Sequence, residues 1–189
     1  LYDGDWQDYN TGLFFVSQMA RLADAAIPVF LIAGNHDAAS VLTKQLSLPA
    51  NCVQLSTKEP ETRLLEELGV AIHGQGFATR AVTENLSSAY PGPVDGVLNV
   101  GMLHTNADGQ PGHDNYAPCK VAELASHGYQ YWALGHIHQR EEVHRGDPWV
   151  VFPGNLQGRH ARETGPKGAT LVTVEDRESV SGGPRVLVE

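Results

Sequence analysis

The stretch Ile27-Pro28-Val29-Phe30-Leu31-Ile32-Ala33-Gly34-Asn35-His36-Asp37 decides how the rest of the chain is read. A nearly continuous apolar run with a proline at its start suits a buried parallel strand better than a helix. It breaks off at Gly34 and delivers three polar side chains at its carboxyl end, where open α/β sheets place their ligands. Just before it, Leu13, Phe14, Val16, Met19, Leu22 and Ala26 recur near the i, i+3, i+4 spacing, and Asn10 or Thr11 can cap, so a helix is predicted over residues 10–26.

The same event recurs twice. Val97–Leu103 is apolar and ends in His104-Thr105-Asn106, and Tyr129–Leu134 ends in Gly135-His136-Ile137-His138. Three separated strands thus each end in potential metal ligands: Asn35 or His36, then His104, then His136 and His138. Imidazole and amide or carbonyl oxygen suit Mn, Fe, Zn and similar cations. On a continuing strand His136 and His138 face opposite ways, so both reach one site only if a turn opens there, for which Gly135 is placed. His73, His113, His127 and His144 lack such a setting and read as surface or hydrogen-bonded residues.

Between these points, helices are predicted over residues 39–46 and 116–125, with Glu59–Leu68 as a short helix or turn and residues 77–89 as a loop entering a helix. Strands are predicted at 52–55 and 70–73. Residues 142–144, 149–152, 169–175 and 184–188 then form a strand-rich end. The 189 residues are 41% apolar, with 20 Gly and 11 Pro. That supports one core and a loop-rich α/β architecture rather than a helical bundle. Two cysteines, Cys52 and Cys119, fit a reducing compartment, so the cytoplasm is expected, and no apolar run is long enough for a membrane span. A formal charge of −9 argues against a broad electrostatic grip on nucleic acid, so any grip on DNA must be local. Bound cations and the cluster Arg159, His160 and Arg162 are the candidates.

Together these motifs resemble the calcineurin-like metallophosphoesterases over nearly the whole chain. Gly34–Asp37 resembles their GNH(D/E) motif, Leu103-His104-Thr105 their single-histidine motif and Gly135–His138 their GHxH motif. Phe152-Pro153-Gly154-Asn155-Leu156-Gln157-Gly158-Arg159 is similar to a segment of the SbcD and YhaO-type DNA-repair nuclease branch. The resemblance implies a four-layer sandwich of two mixed β-sheets flanked by helices, with the site at the loops of one edge. It implies that Asn35, His104 and His136 ligate one metal, that His138 holds a second, and that His36 stabilises the transition state or protonates the leaving oxygen. Asp37 is expected to orient His36.

The cofactors so implied are two divalent ions, Mn2+ first, with Fe, Zn or Mg as alternatives, which activate a water for attack on the phosphodiester. The implied activity is that of an SbcD-like exonuclease or endonuclease on DNA, working beside an SbcC-like coiled-coil ATPase, with homodimers a further expectation. A phosphomonoesterase or cyclic-nucleotide phosphodiesterase of the same fold, or an inactive binding module, is the alternative. The family's DxH motif has no counterpart, and Leu1-Tyr2-Asp3 resembles the tail of its next motif. Residues 1–189 are therefore expected to be one phosphoesterase domain lacking its first strand or strands and first metal motifs.

Overall fold

A computed structural model describes residues 9–39, 47–109, 114–158, 161–175 and 185–189. Ten strands, three α-helices and two 3-10 turns are assigned among them. Helix α1 spans Tyr9–Asp24, α2 Asn35–Ala39 and α3 Val121–Ala125. The strands are β1 Val29–Leu31, β2 Cys52–Gln54, β3 Glu61–Leu65, β4 Val70–Gln75, β5 Leu98–His104, β6 Tyr131–Gly135, β7 Glu141–His144, β8 Trp149–Phe152, β9 Val172–Glu175 and β10 Arg185–Val188.

A six-stranded mixed sheet in the order β3-β4-β5-β6-β8-β7 carries the architecture. Its middle, β4 through β6 to β8, is parallel, and both edges are antiparallel. Alternation along the strands sorts the side chains onto two faces. Leu103, Trp132, Leu134, Val150 and Phe152 enter one buried cluster with Leu124 of α3. Leu98, Tyr131 and Val151 enter another with Val172, Val186 and Val188 of the antiparallel β9–β10 hairpin. Each face is pinned by one indole: Trp132 Nε1 donates to Leu124 O at 3.0 Å, and Trp149 Nε1 donates to Val186 O at 3.1 Å. This is a mixed α/β fold of the kind the motifs imply.

β1 and β2 pair in parallel as a separate short ribbon, but the end of β1 is tied to the end of β4. Phe77 N donates to Ala33 O at 2.7 Å and Gly76 N to Ser56 O at 2.8 Å. The carboxyl ends of β1, β4, β5 and β6 therefore lie along one edge, and the β5–β6 register sets His104 directly opposite Gly135.

Three local expectations are corrected. Glu61–Leu65 is a strand of an antiparallel hairpin rather than part of a helix or turn over 59–68; only Glu66–Leu68 form a helical turn, and Gly69, at φ 61°, reverses the chain into β4. The helix expected from Tyr116 begins only at Val121. Pro118 disfavours helical backbone at the residue before it, and Ala117 adopts a φ of 38° instead. On α1, Leu13 and Phe14 are 60% and 66% exposed, whereas Gly12 is buried and Phe15, Val16 and Met19 are half-buried. Residues 40–46, expected to be helical, lie outside the described residues.

Candidate metal centre

The Gly34–Asp37 motif is the first turn of α2. Asp37 Oδ2 accepts from Gly34 N at 3.1 Å and Ala38 N donates to Gly34 O at 3.0 Å. The carboxylate thus satisfies a backbone donor at the helix start, where negative charge is favoured, and it does so almost fully buried. That bond fixes the turn from which Asn35 and His36 project.

Asn35 Oδ1 lies 3.0 Å from His104 Nε2, joining residues 69 positions apart. The His104 ring is boxed by residues with no side chain. A Cβ on Gly34 would come within 2.6 Å of its Cε1 and Nδ1, and one on Gly135 within 2.9 Å of its Nδ1. Phe77 meets the ring edge-on at 5.0 Å between centroids, and His136 does so at 5.2 Å. The glycines that open the first and last motifs therefore make room for the histidine of the middle one. Gly135 does not open the expected turn; it remains in β6, and His136 itself takes the left-handed φ of 106°. A non-glycine residue there costs on the order of 1–3 kcal/mol, and such conformations cluster at functional sites.

Each histidine of Gly135–His138 has one ring nitrogen committed to a protein oxygen. His136 Nε2 donates to Asp114 O at 3.0 Å, and His138 Nδ1 donates to Glu163 Oε1 at 2.9 Å. In the neutral rings the lone pairs then fall on His136 Nδ1 and His138 Nε2. Metal-binding histidines are held this way, by a carbonyl or carboxylate on the nitrogen that faces away from the cation. Tyr116 completes the wall, edge-on to His136 at 5.5 Å and to Phe77 at 6.4 Å.

Burial, followed by the nearby His136 and then the charges of His36 and His138, pushes the His104 pKa down to about 3. Its ring is accordingly neutral and able to ligate at ordinary pH. His36 is also held below its usual value, first by burial and then by the guanidinium of Arg80, with Asp37 opposing and His138 adding to the effect. His36, His104, His136 and His138 thus share one neighbourhood, with Arg80 at its exposed rim.

Asn35 Oδ1 and the imidazoles of His104, His136 and His138 are the kinds of donor that would hold a divalent cation, and Asn35 Oδ1 and His104 Nε2 stand at hydrogen-bond distance, 3.0 Å. Among the described residues no group of three or more His, Cys, Asp or Glu side chains is gathered to hold a metal; the set here is an amide oxygen with imidazoles. Arg162 is exposed at the same rim, next to Glu163, while Arg159 and His160 lie outside the described residues. Sequence reading missed Glu163 and Arg80. Neither belongs to a motif with strand-end placement, and the only signal was their proximity along the chain to Arg162 and Phe77. His73, His127 and His144 are held by hydrogen bonds away from the site, His73 to Thr62 and Asn99, His127 to Pro91 O and His144 to Pro148 O.

Residues 3–177 match the family described as the Calcineurin-like phosphoesterase superfamily domain. The chain is 37% identical over 177 residues to the protein named "Uncharacterized metallophosphoesterase YhaO" from Bacillus subtilis (strain 168), a match covering 92% of this chain and 43% of that protein. The chain therefore spans less than half the length of that relative. By that family match over residues 3–177 and this relative, the chain belongs to the calcineurin-like phosphoesterase superfamily, whose members generally bind divalent metal ions and hydrolyse phosphoesters.

Proposed function

We propose that the protein is a DNA phosphodiesterase of the SbcD type, with Asn35, His104, His136 and His138 as metal ligands and His36 as the catalytic residue beside the scissile phosphate. The observation that carries this reading is the convergence of Asn35, His104 and His136 at the carboxyl edge of the sheet, with the Phe152–Gly158 segment folded into the same site through Asn155 and His138. The likeness of that segment to one in the nuclease branch is the reason for preferring the nuclease reading to a general phosphatase.

Two divalent cations, Mn2+ by preference, would supply Lewis acidity and an activated water when bound. The chain's own residues do the rest. His36, partly buried beside Asp37 and Arg80, would donate a proton to the leaving oxygen or stabilise charge in the transition state. Arg80 and Arg162 are exposed cations at the rim and supply local phosphate contacts, which a chain of net charge −9 needs in place of a broad basic face. Arg159 and His160 join them in this reading. The same reading places the protein in the cytoplasm, beside a coiled-coil ATPase partner or as a homodimer. Among the described residues no helix is long and apolar enough to cross a membrane.

The acidic balance favours one rival, a phosphomonoesterase or cyclic-nucleotide phosphodiesterase with the same centre. The test is cleavage of linear DNA by the full-length protein with added Mn2+, run beside a small phosphate monoester and a cyclic nucleotide. DNA cleavage that is lost with chelator and in His36→Ala supports the proposal. Hydrolysis of the small esters with none of DNA overturns it.

A further inference from the structure

β6 ends at Gly135, so the strand does not hold the His138 ring. What holds it arrives 25 residues later. Glu163 Oε1 lies 2.9 Å from His138 Nδ1. Glu163 Oε2 accepts from Asn155 Nδ2 at 2.8 Å. The main chain of Asn155 in turn donates to His138 O at 3.2 Å, and Lys167 Nζ donates to the same carbonyl at 3.3 Å. Gly154 is needed for this approach: it has a φ of 76°, and a Cβ there would stand 2.8 Å from Arg140 N and 3.0 Å from His138 O.

The Glu163 side chain is only 12% exposed, against 31% for His138. A carboxylate withdrawn from water this far is costly unless its oxygens are matched, and here each oxygen has a partner. Because an ionised carboxylate can only accept, Nδ1 must carry the proton, and the neutral ring is left with its lone pair on Nε2. A loop staple alone would be served by the backbone bonds to His138 O. The side-chain pair does something those bonds do not, which is to choose the tautomer and fix the ring.

We propose that Glu163, itself oriented by Asn155, is a positioning residue that presents His138 Nε2 to a divalent cation. The inference rests on the metal-dependent reading above.

The test compares full-length protein with its Glu163→Ala and Glu163→Gln variants by Mn2+ titration calorimetry and, without metal, by long-range proton–nitrogen NMR of the histidine rings, with circular dichroism to confirm folding. The expected result is a proton on His138 Nδ1 in the parent and loss of that tautomer preference in Glu163→Ala. Mn2+ affinity should fall about 10–100-fold, the range for lost partners of metal-bound histidines. Glu163→Gln keeps an accepting oxygen and should fall between the two. Mn2+ affinity and His138 tautomer unchanged in a folded Glu163→Ala protein overturn the inference alone. No Mn2+ binding by the parent overturns the metal-dependent reading and the inference with it.

Discussion

Gly34→Ala is the sharpest probe of how the centre is built. The new methyl would stand 2.6 Å from His104 Cε1 and Nδ1, whereas ordinary contact begins near 3.4 Å. The ring must therefore retreat by about 0.8 Å, the difference of those two distances. Phe77 and His136 stand against the ring edge-on, so that retreat is not free, and overpacking of this kind costs roughly 1–3 kcal/mol. At roughly 2–4 °C per kcal/mol for a chain of this size, the metal-free protein should melt about 2–12 °C lower. A shift along the line from Asn35 takes the 3.0 Å separation of Asn35 Oδ1 and His104 Nε2 to about 3.8 Å, beyond hydrogen-bond reach. Misplacements near 1 Å can cost on the order of a hundredfold at a site, so Mn2+ affinity should weaken at least about tenfold. The assay is calorimetric Mn2+ titration with a parallel melt, and Gly92→Ala, where a Cβ meets nothing within 4 Å, is the control. A Gly34→Ala protein that melts and binds Mn2+ like the parent would refute the cradle argument.

Other outcomes follow from the same geometry. His104 stays neutral in the folded chain down to about pH 3, while in the unfolded chain it takes a proton near 6.5. Between those values the unfolded state binds more protons, so this contribution is fully present above pH 6.5 and is lost as pH falls toward 3. Its ceiling is about 5 kcal/mol, from 3.5 pH units at 1.36 kcal/mol each, and urea midpoints of metal-free protein at pH 7, 5.5 and 4.5 should flatten in His104→Gln. Trp132→Ala should cost about 3–5 kcal/mol, since the indole is fully buried and also anchors α3; an unfolding midpoint close to that of the parent would contradict the two-faced core. Arg80→Ala should raise KM roughly fivefold, as for about 1 kcal/mol from a solvent-facing ion pair, with kcat nearly unchanged. His36→Ala should instead lower kcat by about 10²–10⁴, a contrast that steady-state kinetics resolves.

The ends of β5 and β6 were legible because burial writes a central parallel strand as an apolar run, and such runs stop where polar chemistry begins; β1 is only half-buried, in a two-stranded ribbon. That is why His104 and the pair His136 and His138 stood out in the sequence, with His104 set opposite Gly135, whereas the choice of Asn35 over His36 came from the family resemblance. Other features were illegible for stateable reasons. Glu61–Leu65 carries no alternation strong enough to declare a strand; it is one because Gly69 folds it back on β4. The roles of Gly34 and Gly135 could not be read from their own motifs, since what each makes room for is His104, brought near by the register of other strands. Glu163 is the extreme case. An exposed-looking Arg-Glu-Thr-Gly turn gives no sign that its carboxylate reaches back 25 residues to His138. Candidate donors are announced locally by the apolar run that precedes them, whereas the groups that orient them are set by long-range packing. A one-dimensional reading of such a site therefore finds its donors first and its orienting partners last.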